Sequence, residues 1–135
     1  MSTPIESDHV QINASQETIF LFLSDFNNIQ TLLPQDKISE WMGNVDFCSF
    51  KIQNAATIAL VKSSVEPNEK INIKSGDKTP FPFTLEVFIN PAENNTCEGY
   101  FKFEGEINAF LKMMVMKPLT NLFNYMANRL KEVHS

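Results

Sequence analysis

The sequence predicts an α+β domain in which a curved antiparallel sheet closes over one long C-terminal helix, and three observations carry that prediction. Residues 81–107 hold two successive runs of period-two alternation separated by a polar turn. Residues 109–133 repeat apolar side chains at steps of three and four. Between residues 37 and 80, short apolar runs are punctuated by Asn, Gly and Pro. Alternation marks a half-buried strand, and the three-and-four spacing marks an amphipathic helix.

Taken from the N-terminus, Ile5–Asn13 reads as a strand with Val10 and Ile12 on one face and His9 and Gln11 on the other. Ser15 offers a helix N-cap, with Glu17 near the positive end of the dipole. Ile19, Phe20 and Leu23 follow at helical spacing. Asp25 caps a second short helix carrying Ile29, Leu32 and Leu33, and Pro34 ends it by disfavouring helix in the residue before.

The β region begins with a modest strand at Lys37–Met42, stopped by Gly43-Asn44. Phe47–Gln53 sets Cys48, Phe50 and Ile52 against Lys51 and Gln53, and Asn54-Ala55 turns the chain. Thr57–Val65 is apolar on both faces, so its orientation stays open. Lys70–Ser75 brings Ile71 and Ile73 to one side, ahead of a turn at Gly76-Asp77-Lys78. In Phe81–Ile89 the odd positions are apolar, and in Thr96–Ile107 Cys97, Gly99, Phe101, Phe103, Gly105 and Ile107 alternate with charged residues and Tyr100. Such alternation gives one buried and one wet face. Gly99 and Gly105 fall on the buried face, where a missing side chain relieves crowding or allows a bend.

The closing helix, about 36 Å long at the standard rise, carries Leu111, Val115, Pro118, Leu122, Met126, Leu130 and Val133 as its apolar stripe. Pro118, lacking an N–H, is expected to bend it. The total is a sheet of about seven strands, two short helices and one long helix, with residues 1–135 read as one domain.

Composition bounds the function. Hydrophobic residues make up 43% and charged residues 20%, which marks a globular chain. The net charge of -5, with basic residues dispersed among acids, argues against nucleic acid or an anionic membrane as the main partner. The first residues have neither a basic start nor an apolar run, and the most apolar window, Phe110–Met116, is too short to span a bilayer. Two cysteines cannot build a disulfide framework, so a cytoplasmic, reduced protein without membrane insertion is expected. Twelve Phe and six Met against one Trp and two Tyr mean much apolar volume with little hydrogen-bonding demand. That suits an aromatic core or a lined cavity equally.

With Ile5–Asn28 as its opening and Phe110–Leu130 as its closing helix, the whole chain resembles the START-like superfamily, also called SRPBCC, of helix-grip fold. Val10-Gln11-Ile12-Asn13-Ala14-Ser15 followed by Ile19-Phe20-Leu21-Phe22-Leu23-Ser24-Asp25 is similar to the opening of bacterial, polyketide cyclase-like members. The resemblance implies a cavity between the sheet and the long helix for a lipid-like or aromatic molecule. Its lining would come from Phe50, Ile52, Phe83, Leu85, Phe101 and Phe103 on strands. The helix would add Leu111, Met114, Val115, Pro118, Leu122 and Met126. Strand parity places the Asn54 turn, the Asp77-Lys78-Thr79-Pro80 turn and the Asn108–Phe110 exit at one end of an antiparallel meander, which makes these residues the expected mouth. Lys78, the only cation on this rim, is either a solvated loop lysine or a contact for an anionic head group. The plant branch carries a glycine-rich loop after its second strand, where this chain has only Gly43. Cyclase members need polar groups in the cavity, whereas the inward positions assigned here are almost wholly apolar.

Catalytic constellations are not evident. His9 lies opposite Val10 and Ile12, His134 is in the tail, and Cys48 and Cys97 fall on inward faces as small hydrophobes. No Cys or His pair has the spacing of a zinc site, and no Gly-rich phosphate loop is present, so neither metal nor cofactor is expected. Three functions remain open. The first is a non-catalytic carrier or sensor of an apolar small molecule. The second is an enzyme of polyketide cyclase, aromatase or hydratase type using a few cavity polar groups. The third is an interaction module with a filled core and an unidentified protein partner.

Overall fold

The computed structural model describes residues 2–134. Among them the elements run β1 (Thr3–Glu6), β2 (Val10–Ile12), α1 (Gln16–Ser24), a 3-10 helix (Phe26–Leu32), β3 (Ile38–Gly43), β4 (Phe47–Ile52), β5 (Thr57–Glu66), β6 (Lys70–Ser75), β7 (Phe83–Pro91), a short 3-10 turn (Glu93–Asn95), β8 (Cys97–Gly105) and α2 (Ala109–Glu132). The strands form one curved antiparallel sheet in the order β1-β8-β7-β6-β5-β4-β3, with β2 also paired to β8. β3 to β8 are therefore a continuous meander, and α2 packs on the concave face. This is the expected helix-grip α+β fold.

The expected first strand is two strands. β1 pairs with β8 from Thr3↔Gly105 to Glu6↔Lys102, whereas β2 pairs from Val10↔Gly99 to Ile12↔Cys97. Ser7, Asp8 and His9 thus face only Phe101 and Tyr100, a β-bulge. The extra residue reverses the alternation, so Thr3, Ile5 and Ser7 point inward before it and Val10 and Ile12 after it. Buried Ser7 closes the break through its N–H to the Phe101 carbonyl at 2.9 Å and its Oγ, which accepts from the Phe101 N–H at 2.8 Å. Asp8 turns toward α2, where its N–H donates to Asn124 Oδ1 at 2.7 Å.

Local capping follows the sequence. Ser15 Oγ accepts from the Thr18 N–H at 3.2 Å, and Asp25 Oδ1 accepts from the Asn27 N–H at 3.0 Å. Phe26, Ile29 and Leu32 are buried along the 3-10 helix, at the three-residue spacing that geometry superimposes on one face. Lys62 binds this corner: its Nζ donates to the Ser24 carbonyl, pairs with Asp46 at 3.1 Å and lies 5.3 Å from the Phe26 ring centre.

β7 and β8 pair from Phe83↔Gly105 to Pro91↔Cys97, and the odd residues from Phe83 to Ile89 and from Cys97 to Gly105 are buried. Phe101 and Phe103 meet Phe123 of α2 at ring distances of 6.4 and 5.4 Å, which puts that odd face against the helix. The two glycines there are matters of space. A Cβ on Gly105 would stand 2.7 Å from the Phe103 ring, and one on Gly99 would stand 2.9 Å from Ile12 Cδ1.

α2 runs unbroken through Pro118, capped by Asn108, whose Oδ1 accepts from the Leu111 N–H at 2.9 Å. Its buried face is Val115, Leu119, Leu122, Phe123, Met126, Ala127 and Leu130. That stripe is rotated from the expected one. Leu119, Phe123 and Ala127 replace Leu111 and Pro118, which are half-buried, and Val133 is exposed. The far end of α2 rests on the 3-10 helix, where Arg129 Nε donates to the Thr31 carbonyl at 3.4 Å.

Candidate functional site

The space between the middle of the sheet and α2 is filled. Leu60, Ile71, Leu85, Val87 and Phe101 from the sheet close with Leu23, Phe26, Ile29 and Met126 around a void of only about 10 Å³. That is no more than a single water needs. Beside it, Phe81, Phe83 and Phe103 form an aromatic cluster with ring centres 5.2–6.5 Å apart. Among the described residues the expected central cavity is reduced here to that void, which Phe26 lines from the 3-10 helix while Phe123 of α2 packs on Phe101 and Phe103. Phe50, Phe83, Leu85, Phe101, Phe103, Val115 and Met126 are accordingly core residues packed on one another.

A real opening lies to one side. A groove of about 510 Å³ runs between the middle of α2 and the sheet end formed by residues 34–38 and 52–54. Buried Pro34, Ile52 and Leu122 make its floor, with half-buried Ile38 and Pro118 beside them. Pro118 and Leu122 are one turn apart, so they lie on one row of the helix. Lys117, Asn121 and Tyr125 form the adjacent row at the same spacing and carry the exposed rim. Asp36, Lys37, Gln53 and Asn54 supply the opposite rim.

The sheet side of this groove is held by backbone hydrogen bonds. The Lys37 N–H donates to the Pro34 carbonyl at 2.9 Å, and the Gln53 N–H donates to the Lys37 carbonyl at 2.8 Å. Asn54 takes a left-handed conformation with φ 59°, which Asn tolerates better than most residues and which turns β4 back into β5.

Four of the residues expected from sequence meet here: Ile52, Pro118 and Leu122 in the wall and Asn54 at the rim. The rest of the expected mouth does not. Gly76 and Thr79 extend the sheet: the Gly76 N–H donates to the Ala59 carbonyl at 2.9 Å, and Thr79 Oγ1 accepts from the Ala59 N–H at 2.8 Å. Those bonds satisfy backbone groups of β5 beyond its last partner on β6 and draw the turn away from the groove. Asp77 and Lys78 border a separate depression with Phe47, Ala59 and Val61, and Lys78 Nζ sits 3.6 Å from Met42 Sδ. Pro80 is exposed, and Asn108 is occupied as the helix cap. Phe110 and Met114, at 72% and 42% exposure, stand on the first turns of α2 outside the groove. Leu111 is half-buried there and does not line it.

Sequence reasoning missed Pro34, Asp36, Lys37, Ile38 and Gln53 on the sheet side and Lys117, Asn121 and Tyr125 on the helix. The available signal was the row Lys117-Asn121-Tyr125 flanking Pro118, in which an aromatic interrupts an otherwise polar face.

On the convex face, His9 Nε2 lies 2.7 Å from Glu6 Oε2 and its Nδ1 3.3 Å from Glu98 Oε1. Tyr100 stacks on Phe88 with ring centres 4.9 Å apart, and Lys70 Nζ lies 5.0 Å from the Phe88 ring centre while pairing with Glu86. Burial, together with the charges of Glu6, Glu98 and Glu86, pushes the Tyr100 hydroxyl up from its ordinary pKa. Burial also pushes the Cys48 thiol up to about 12 and raises Cys97. Among the described residues no group of three or more His, Cys, Asp or Glu converges in a metal-binding arrangement, and no helix is long and apolar enough to cross a membrane.

No protein-family model matches the sequence, and no curated protein matches it. Solved structures do match. Norcoclaurine synthase from Thalictrum flavum, a point mutant in complex with a transition-state analogue, superposes with a TM-score of 0.75 at 12% identity over 98% of this chain and 94% of that one. A START superfamily protein from Mycobacterium smegmatis gives 0.68 at 14% identity over 97% and 96%. A conserved protein from Geobacillus kaustophilus gives 0.67 at 9% identity over 98% and 94%. The chain has the START-like, or SRPBCC-like, fold.

Proposed function

We propose that this chain binds a small molecule with an apolar body in the groove between α2 and residues 34–38 and 52–54, and carries or senses it without chemical change. The observation behind this reading is the groove itself. At about 510 Å³ it falls in the size range of small-molecule sites, with an apolar floor of Pro34, Ile52 and Leu122 under a polar rim. The same fold is known with small aromatic molecules bound: one norcoclaurine synthase structure is a complex with dopamine and hydroxybenzaldehyde. The titratable groups of this groove, Asp36, Lys37, Lys117 and Tyr125, all stand exposed at the rim. Exposed groups favour recognition over proton transfer, because catalytic acids and bases are tuned largely by burial and close neighbours.

The test is fluorescence titration with phenylnaphthylamine, a neutral apolar probe, on the wild type and on Leu122→Trp, which fills the floor. Saturable binding that weakens by about tenfold or more in the folded variant supports the reading. Equal binding by both proteins overturns it, as does conversion of a groove-bound compound on incubation.

A further inference from the structure

Resting on the groove reading, we infer that the ligand is amphipathic and carries an oxyanion head group, a carboxylate, sulfonate or phosphate, held between Lys37 and Lys117. The two lysines stand on opposite walls of one groove, Lys37 beside the sheet end and Lys117 on α2 next to Pro118. Two other lysines of this acidic chain are engaged, Lys62 with Asp46 at 3.1 Å and Lys70 with Glu86 at 2.5 Å. Among the described residues neither Lys37 nor Lys117 has a carboxylate partner. Two unpaired ammonium groups facing one apolar floor, on a chain of net charge -5, form a local positive site in a negative field.

The surrounding donors agree. The side-chain amides of Gln53, Asn54 and Asn121 border the same groove and make no hydrogen bond within the described protein. Their N–H groups and the two ammoniums are thus available to acceptor oxygens, as an oxyanion requires. Asp36 is the opposing charge on this rim, and with Lys37 and Lys117 it leaves the groove lining at one net positive charge. A head group at the rim would leave the apolar body lying on Ile52, Pro118 and Leu122. Lysine supplies a point charge and not a fixed fork, so the site selects for charge more than for head-group geometry.

Two probes with one body separate this inference from the reading it rests on. Anilinonaphthalene sulfonate and phenylnaphthylamine share their ring system and differ by the sulfonate. Wild-type protein should bind the sulfonate about tenfold tighter, with the preference shrinking as salt is raised. The double variant Lys37→Met/Lys117→Met should lose that preference while holding the neutral probe within about twofold. Asp36→Asn should tighten the sulfonate, and Lys78→Met, outside the groove, should change neither probe. If the double variant keeps the full preference while Leu122→Trp still abolishes both probes, the head-group inference is wrong and the groove stands. If Leu122→Trp leaves both probes bound as in wild type, the groove reading itself has failed.

Discussion

His9 lies flat on Tyr100, with ring centres 3.8 Å apart and planes 7° from parallel. In that position its two nitrogens face Glu6 and Glu98, and both can be satisfied at once only by the imidazolium, which donates from each. The hydrogen bond to Glu6 is the main cause of a His9 pKa raised above its ordinary 6.5, with Glu98 adding to it and partial desolvation opposing. A folded-state value above the unfolded one stabilises the protein below the unfolded value, and the gain is lost as pH rises through the folded value.

The first prediction follows from that sign. Urea unfolding of wild type and His9→Gln should show a larger stability gap near about pH 5 than near about pH 9. Because the His9 side chain is 40% exposed, screening holds the pH-dependent part to a few tenths of a kcal/mol, at most about 1. Probe binding in the groove should be the same in both proteins. A gap that widens with rising pH would contradict the assignment.

Cys48 should be chemically silent. Its thiol is fully buried beside β5, and a pKa pushed to about 12 leaves almost no thiolate at neutral pH. Titration with a disulfide reagent should find Cys48 unreactive in native protein and both cysteines reactive in urea. Replacing Cys48 or Cys97 singly with Ala should cost on the order of 1 kcal/mol through packing and leave binding intact.

Gly105→Ala should be among the most damaging of the small substitutions. The added methyl would stand 2.7 Å from the ring of Phe103, which is 1% exposed and packed on Phe81, Phe83 and Phe123. Overpacking of this kind costs about 1–3 kcal/mol. Gly99→Ala meets only the terminal carbon of Ile12 and should cost less. Equal melting temperatures for the two variants would show that the Phe103 cluster yields more easily than its packing implies.

The filled centre and the open groove make opposite forecasts for truncation. Leu85→Ala, in the packed centre, should lose about 2–5 kcal/mol without restoring or creating probe affinity for the groove. Asn121→Ala, on the exposed rim, should stay within about 0.5 kcal/mol in stability. A stable Leu85→Ala protein with a new, groove-independent binding site would mean that the centre opens readily in solution.

The parts of the molecule legible in sequence were those governed by local rules. Phe83 to Ile89 and Cys97 to Gly105 declare their faces because alternation has a period of two whatever lies above them. Ser15, Asp25 and Pro34 mark helix ends through chemistry confined to a few neighbouring atoms. The stripe on α2 was less legible. Pro118 and Leu119 are adjacent apolar residues, and which of them faces the sheet depends on how far along the helix the sheet extends. The site was harder still. Whether Phe101 lines a cavity or a solid core is decided by Phe26 and Phe123, from a 3-10 helix and from α2, and no local pattern reports their rotamers. Strand parity did place the Asn54 turn and the Gly76–Pro80 turn at one end. It could not foresee that Thr79 would be captured by the Ala59 N–H.

The Ser7–His9 bulge means that β1 and β2 lie in opposite phase along a single partner strand. The bulge is consequently what lets both halves keep their apolar side inward at this length. Straighten it without removing a residue and the two halves share one alternation, so that either Thr3 and Ile5 or Val10 and Ile12 must turn to solvent. Losing the bulge would be a frameshift in space, carried through every side chain on one flank of the break.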